Sequence, residues 1–292
     1  MDRVPHVLFV CSGNTCRSPM AEALFAQMCA GVDLSVEVAS AGLAVIPGEP
    51  AASLMTQTAR RFNLSDRLAA HRSKAAVNAL LAKFDLIVCM SANHLHGLSY
   101  SVPLEKLRLL GGGIPDPFGG DARDYDICAN QIAAYLPSIL REISGCPCEI
   151  RAMTADDLPD VVRLDHLCFS VPWREEDLHR MFMRKEACAL VAVRHGQAIA
   201  FAGASQVLDQ ADVSHIAVHP DWRKQGIANA LLARMHVCLV MRGCHEIQLE
   251  VRQSNEAAIA LYRRHGYTTV GCRKNYYTKP AEDAVLMTLM LF

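Results

Sequence analysis

Val7-Leu8-Phe9-Val10-Cys11-Ser12-Gly13-Asn14-Thr15-Cys16-Arg17-Ser18-Pro19-Met20 decides the reading of the first half of the chain. Four apolar residues, two of them β-branched, predict a short buried strand. Pro19 suits the first turn of a helix, and 20–30 supplies that helix. The turn between them holds a cysteine, a glycine and an arginine. Successive backbone N–H groups in such a turn converge on one anion, with the helix dipole behind them. Gly13 permits the tight backbone. Arg17 is suited to hold two phosphate oxygens in bidentate fashion. The same field favours the thiolate of Cys11, which is the nucleophilic form. Ser18 is placed to donate to the Cys11 sulfur, and the Asn14 amide to brace the loop. The turn therefore predicts nucleophilic catalysis on phosphorus, with no metal required.

Working outward, further strands are expected at 36–38, 86–90 and 107–110, and helices at 51–62, 74–84 and 125–143. Strands alternating with helices predict a doubly wound α/β fold, a parallel four-stranded sheet covered on both faces. Its ligand belongs at the carboxyl ends of the strands, where Cys11 lies. Asp116 follows the fourth strand in Asp116-Pro117-Phe118-Gly119-Gly120 and is the candidate acid for the leaving group. Pro117 fixes that loop, and Phe118 is placed to wall the substrate.

Cys11-Ser12-Gly13-Asn14-Thr15-Cys16-Arg17-Ser18-Pro19-Met20-Ala21-Glu22 resembles the phosphate loop of low-molecular-weight protein phosphatases. Ser40-Ala41-Gly42, His71-Arg72-Ser73-Lys74 and Asp116-Pro117-Phe118 match that family in the same order. The resemblance covers about the first 145 residues and implies a flavodoxin-like sheet. It implies Cys11 as nucleophile, residues 12–18 as the phosphate-binding loop with Arg17 as its cation, and Asp116 as general acid and then general base. Thr15, where tyrosine phosphatases of the family carry a bulkier aliphatic residue, resembles the protein-arginine phosphatase branch. The expected substrate is a phosphorylated protein, with phosphoarginine ahead of phosphotyrosine and the latter kept as the alternative. Arsenate reductases share the loop but need relay cysteines, and 91–98 contains none. Cys16 is read either as a reversible disulfide partner of Cys11 or as a packed thiol.

Ser144-Gly145-Cys146-Pro147-Cys148 breaks the pattern. Two thiols one residue apart make a poor metal site, so 146–148 is read as a linker between a domain at 1–145 and one at 149–292. Beyond it, strands are expected at 149–153, 189–193, 198–207, 214–218, 247–251, 268–273 and 284–291. Helices are expected at 156–169, 174–183, 226–241 and 255–265. Mostly antiparallel strands with a few helices predict an α+β domain.

Within it, a strand enters His219-Pro220-Asp221-Trp222-Arg223-Lys224-Gln225-Gly226-Ile227-Ala228, and a long helix leaves. Backbone N–H groups at that helix start suit a pyrophosphate, and Gly226 allows close approach. Glu250 stands in an apolar strand, where burial would raise its pKa towards that of a useful base. A place on a solvated sheet face is the other reading. Tyr262, on a helix, is either a proton donor or a core residue. Together with Pro172-Trp173, Asn255-Glu256-Ala257-Ala258-Ile259-Ala260-Leu261-Tyr262 and Arg273-Lys274-Asn275-Tyr276-Tyr277, these segments resemble the GNAT acetyltransferases, and among them the RimI-type alanine N-acetyltransferases of ribosomal proteins. That resemblance implies acetyl-CoA as cosubstrate, held by Ile216, Ala217, Val218, Lys224, Gln225, Gly226, Ile227, Ala228, Asn229 and Asn255. It implies Glu250 as general base through water, Tyr262 as general acid, and the N-terminal segment of a ribosomal protein as acceptor.

Bulk properties agree with an enzyme of two domains. The chain has 292 residues, 51% hydrophobic and 20% charged. Through residue 145 it carries 12 Lys+Arg against 13 Asp+Glu, and beyond that 17 against 17. Neither part has the basic excess of a nucleic-acid binder. Its 12 cysteines are scattered, many in apolar runs, which points to buried thiols in a reducing cytoplasm rather than a disulfide framework. No secretory pattern opens the chain, and no apolar run reaches the ~18–20 residues of a membrane span. Both sites are expected to be active; one domain serving only as a binding module is the alternative. Oligomeric state is not legible.

Overall fold

The computed structural model describes residues 4–145, 148–182, 184 and 186–292. Two compact units divide it, one reaching Leu140 and one spanning Arg141–Leu291. Of the expected linker, Cys146 and Pro147 lie outside the described residues, as does Met183 at the end of an expected helix.

The first unit runs β1 (His6–Cys11), α1 (Arg17–Gly31), β2 (Glu37–Gly42), α2 (Ser53–Ala59), α3 (Ser65–Ala70), α4 (Asn78–Leu81), β3 (Leu86–Cys89), α5 (Ala92–Leu98), β4 (Leu107–Leu109) and α6 (Ala122–Ile143). The four strands are parallel in the order β2-β1-β3-β4. Val7, Leu8, Phe9 and Val10 are fully buried, as a strand covered on both faces requires. The chain leaves β1 for β2 on one side and later reaches β3 on the other. The strand order thus reverses around β1, and Cys11 closes that strand at the crevice.

One expected element is corrected. Helix 74–84 shrinks to the single turn α4, because 74–77 is used as extended backbone. Ala75 forms a parallel bridge with Gly42, whose N–H donates to Lys74 O at 2.9 Å. Helices α3 and α5, unforeseen, fill the returns to the sheet.

The second unit contains β5 (Glu149–Ala152), α7 (Leu158–Cys168), α8 (Glu175–Phe182), β6 (Ala187–Arg194), β7 (Gln197–Val207), β8 (Gln210–Val218), α9 (Ile227–Met241), β9 (Glu246–Arg252), α10 (Glu256–Arg264), β10 (Thr268–Thr278) and β11 (Ala281–Met290). They form one seven-stranded sheet, β10-β11-β9-β8-β7-β6-β5. Strand β8 starts at Gln210, four residues earlier than expected, because β7 and β8 form a tight hairpin ending at Val207↔Gln210. Neighbours are antiparallel except β8 and β9, which α9 joins as a crossover. That parallel pairing covers only Gln210–Val213 against Glu246–Leu249. Both strands continue beyond it, so their facing edges separate. Leu158, Val161, Leu164, Leu178 and Phe182 of α7 and α8 pack on Val191, Ala198, Phe201 and Ala217 of the sheet. No helix among the described residues is long and apolar enough to cross a membrane.

Gly42 carries a testable constraint. A Cβ there would stand 2.4 Å from Ser12 O and 2.9 Å from Asn14 N. Gly42→Ala is expected to destabilise the first unit by about 1–3 kcal/mol and to weaken phosphate binding. Thermal unfolding with and without inorganic phosphate checks both effects.

Candidate active sites

The first site is a backbone cradle. Helix α1 starts with no side-chain cap, so its first N–H groups are open to an anion. Asn14 holds the cradle's shape at φ 55°, a left-handed conformation that asparagine tolerates. Its side chain is fully buried. Nδ2 donates to Ser18 Oγ and to Ser40 Oγ, both at 2.9 Å. Oδ1 accepts the Lys74 N–H at 2.8 Å, and Asn14 O accepts His71 Nε2–H at 2.7 Å. Ser40 Oγ donates onward to Glu22 Oε2 at 2.6 Å. Cys11 Sγ lies 3.0 Å from Ser18 Oγ.

Arg17 is buried at the opening of α1. Nη1 donates to Ile114 O at 3.1 Å, and Nη2 to the carboxylate of Asp116. Its Nε is buried, with no partner among the described residues. The structure thus brings Cys11, Arg17, Ser18 and Asp116 to one crevice. Thr15 is half-buried, with its hydroxyl 3.8 Å from Cys16 Sγ. Burial pushes the Cys16 thiol up. Phe118 is 82% exposed on the Asp116 loop. Beneath that loop, Pro117, Asp124, Ile127, Cys128 and Gln131 help line a cavity of about 430 Å³. Sequence reasoning missed His94 on α5, whose Nε2 lies 2.9 Å from Ser12 Oγ. Its only signal is a polar residue in a helix that was not foreseen.

The second site is the opening between β8 and β9. Ile216, Ala217 and Val218 lie beyond the last β8–β9 pair, so their edge towards β9 carries no ladder bonds to it. Lys224 at φ 62° and Gly226 at φ 81° then turn the chain into α9, again without a side-chain cap. Gln225, Ile227 and Ala228 complete that turn. Alternating backbone of this kind aims N–H groups at an anion. Asn229 and Asn255 are placed differently from a cofactor-facing side chain. Asn229 is buried, and its Oδ1 lies 3.0 Å from His265 Nε2. Asn255 caps α10 by accepting the Ala258 N–H at 3.2 Å.

Glu250, on β9, is the first residue beyond the last β8–β9 pair, but the premise of burial is not met. Its side chain is about one-third exposed, and Oε1 lies 3.0 Å from Arg273 Nη1. Alternation on β9 buries Leu249 and Val251 and leaves Glu250 on the more open face. Arg273 in turn lies over the Tyr276 ring. Tyr262 is buried, and its hydroxyl pKa is driven up by desolvation and then by Tyr277. Tyr277 donates to Glu250 O at 3.3 Å.

Burial also keeps histidines neutral. It pushes His215 down to about 4 and His236 down to about 3. Their folded values lie below the unfolded one near 6.5, so the unfolded chain takes up protons first as pH falls. Stability is therefore full above about pH 6.5 and is lost on acidification towards 4. Both tryptophans, Trp173 and Trp222, lie in the second unit. Urea unfolding followed by tryptophan emission is expected to lose about 2 kcal/mol from His236 between pH 7 and pH 5, and less from His215, whose Nε2 lies 3.6 Å from the buried Asp165 carboxylate. A flat profile contradicts this.

Comparison with known proteins follows the same division. The family model described as low molecular weight phosphotyrosine protein phosphatase matches residues 6–145. The acetyltransferase (GNAT) family model matches residues 158–267. The [ribosomal protein bS18]-alanine N-acetyltransferase of Escherichia coli (strain K12) is 36% identical over 142 residues, which are 48% of this chain and 95% of that protein. A low molecular weight protein tyrosine phosphatase from T. tengcongensis is 28% identical over 47% of this chain and 99% of that one, with a TM-score of 0.45. The YwlE arginine phosphatase from Geobacillus stearothermophilus is 28% identical over 48% of this chain and 92% of that one, with a TM-score of 0.43. The chain is therefore a two-domain enzyme, belonging to the low-molecular-weight phosphatase family over its first part and to the GNAT acetyltransferase family over its second.

Proposed function

We propose that the first domain dephosphorylates proteins through a phosphocysteine, with phosphoarginine preferred. The Cys11 thiolate attacks phosphorus as the bond to the leaving guanidine nitrogen breaks, and Asp116 supplies the proton that nitrogen takes up. Asp116 then takes a proton from the water that attacks the phosphocysteine and frees the Cys11 sulfur, to which Ser18 donates. The observation that carries this reading is the Arg17 guanidinium, buried beside Cys11 with an unpartnered Nε and with Asp116 on its Nη2. The preference for phosphoarginine rests on Thr15, a small hydroxylic residue where a bulky aliphatic one would narrow the pocket. Differences of that size set specificity. Phosphotyrosine is the second reading, favoured by the name of the matching family model.

The second domain, in this reading, moves an acetyl group from acetyl-CoA to a protein N-terminal alanine, with the N-terminal segment of a ribosomal protein as the acceptor. The backbone turn at 224–228 and the open edge of 216–218 suit the pyrophosphate and amide groups of that cosubstrate. The amine attacks the thioester directly. Glu250 takes its proton through water once Arg273 yields, and Tyr262, held protonated by burial, gives one to the departing thiolate. Domain limits at 1–145 and 149–292 belong to this reading.

Two substitutions separate the sites. Cys11→Ser is expected to abolish phosphatase turnover while acetyl transfer continues. Glu250→Gln is expected to lower acetyl transfer about a hundred- to ten-thousand-fold with phosphatase turnover retained. Loss of both activities in either folded variant contradicts independent sites. Thr15→Ile is expected to shift the kcat/KM ratio from phosphoarginine towards phosphotyrosine about tenfold or more. An unchanged ratio removes the basis of the arginine preference.

A further inference from the structure

The phosphate loop carries an exposed hydroxyl that this chemistry leaves unused. Ser12 follows Cys11 directly, and it is exposed. Its Oγ lies 2.9 Å from His94 Nε2. His94 is buried, and its Nδ1 lies 2.8 Å from Ser91 Oγ. Ser91 is the N-cap of α5, and its Oγ accepts the His94 backbone N–H at 3.4 Å.

Burial, and then the Arg17 cation, push His94 down to about 4. At neutral pH the ring is therefore uncharged and has one N–H to give. Ser91 Oγ accepts a backbone N–H and still has both a hydrogen and a lone pair for Nδ1, so the ring proton sits on either nitrogen. In both tautomers one hydrogen bond joins Nε2 to Ser12 Oγ and holds that hydroxyl in place, with further hydrogen-bonding capacity left for the open side. Ser12 is exposed, so its hydroxyl is open to what carries the phosphoryl group. A neutral hydroxyl suits a neutral polar group. The main-chain amide is the one that every protein substrate presents and a small aryl phosphate lacks.

We propose that Ser91, His94 and Ser12 form a hydrogen-bond relay that fixes the Ser12 hydroxyl for a hydrogen bond to a main-chain amide group of the phosphorylated protein substrate. The inference rests on the phosphatase reading. Ser12 sets specificity by touching substrate, and His94 is a positioning residue that acts through it.

The test uses the full chain and two substrates, p-nitrophenyl phosphate and a phosphopeptide bearing phosphoarginine or phosphotyrosine, whichever the wild type hydrolyses. Ser12→Ala and His94→Leu are each expected to lower kcat/KM about tenfold more on the phosphopeptide than on the aryl phosphate, chiefly through KM. His94→Gln, whose amide keeps a hydrogen-bonding group near the Nε2 position, is expected to recover most of that loss. The Ser12→Ala/His94→Leu double variant is expected to be no worse than either single one, as a shared pathway requires. Equal losses on both substrates, additive losses in the double variant, or no loss at all overturn the relay. A wild type inactive on both substrates overturns the phosphatase reading itself, and the relay with it.

Discussion

The first domain depends on satisfying one buried amide. A loop that aims its N–H groups at an anion turns its carbonyls and side chains elsewhere, and buried polar groups without partners cost about 1–3 kcal/mol each. Asn14 meets that demand. Its side chain binds Ser18, Ser40 and the Lys74 N–H, and its carbonyl takes His71. It therefore fixes the loop, the serine beside Cys11 and the neighbouring strand end in one network. The left-handed backbone at Asn14 persists because the surroundings over-determine it. Extended backbone at 74–77, in place of the expected helix, belongs to the same network.

The second domain reaches an anion-facing backbone by another route. There the parallel pair β8–β9 stops after four residues, and both strands run on. The exposed edges would be a liability in a closed sheet, yet they leave main-chain donors and acceptors facing an opening. In both domains a strand runs into a turn, and the turn enters a helix whose N-terminus has no side-chain cap. Capping would have satisfied the very groups that an anion needs.

Both carboxylates in the proposed chemistry are paired with arginines. Asp116 holds Arg17, and Glu250 holds Arg273. An arriving phosphoryl group competes with Asp116 for Arg17, which couples its binding to release of the acid. Glu250 must likewise part from Arg273 before it takes a proton. That ion pair is partly exposed, so the cost of separation is small, about 1 kcal/mol or less.

The contiguous features were legible in the amino-acid order. Strand β1, the loop 11–18 and the helix after it lie within about 25 residues, so local pattern specifies them, and turn 223–228 into α9 is read in the same way. What the tertiary structure alone decided is which distant residues meet. Lys74 comes to Asn14 across 60 residues, Arg17 to Asp116 across 99, and His94 to Ser12 across 82. No periodicity encodes such pairs, because they follow from the order in which strands assemble and from where β8 and β9 part. Glu250 shows the difference most plainly. Its place in an apolar strand was evident from sequence, but whether that side chain is buried or turned to Arg273 depends on which sheet face it occupies and on what the hairpin β10–β11 brings to it.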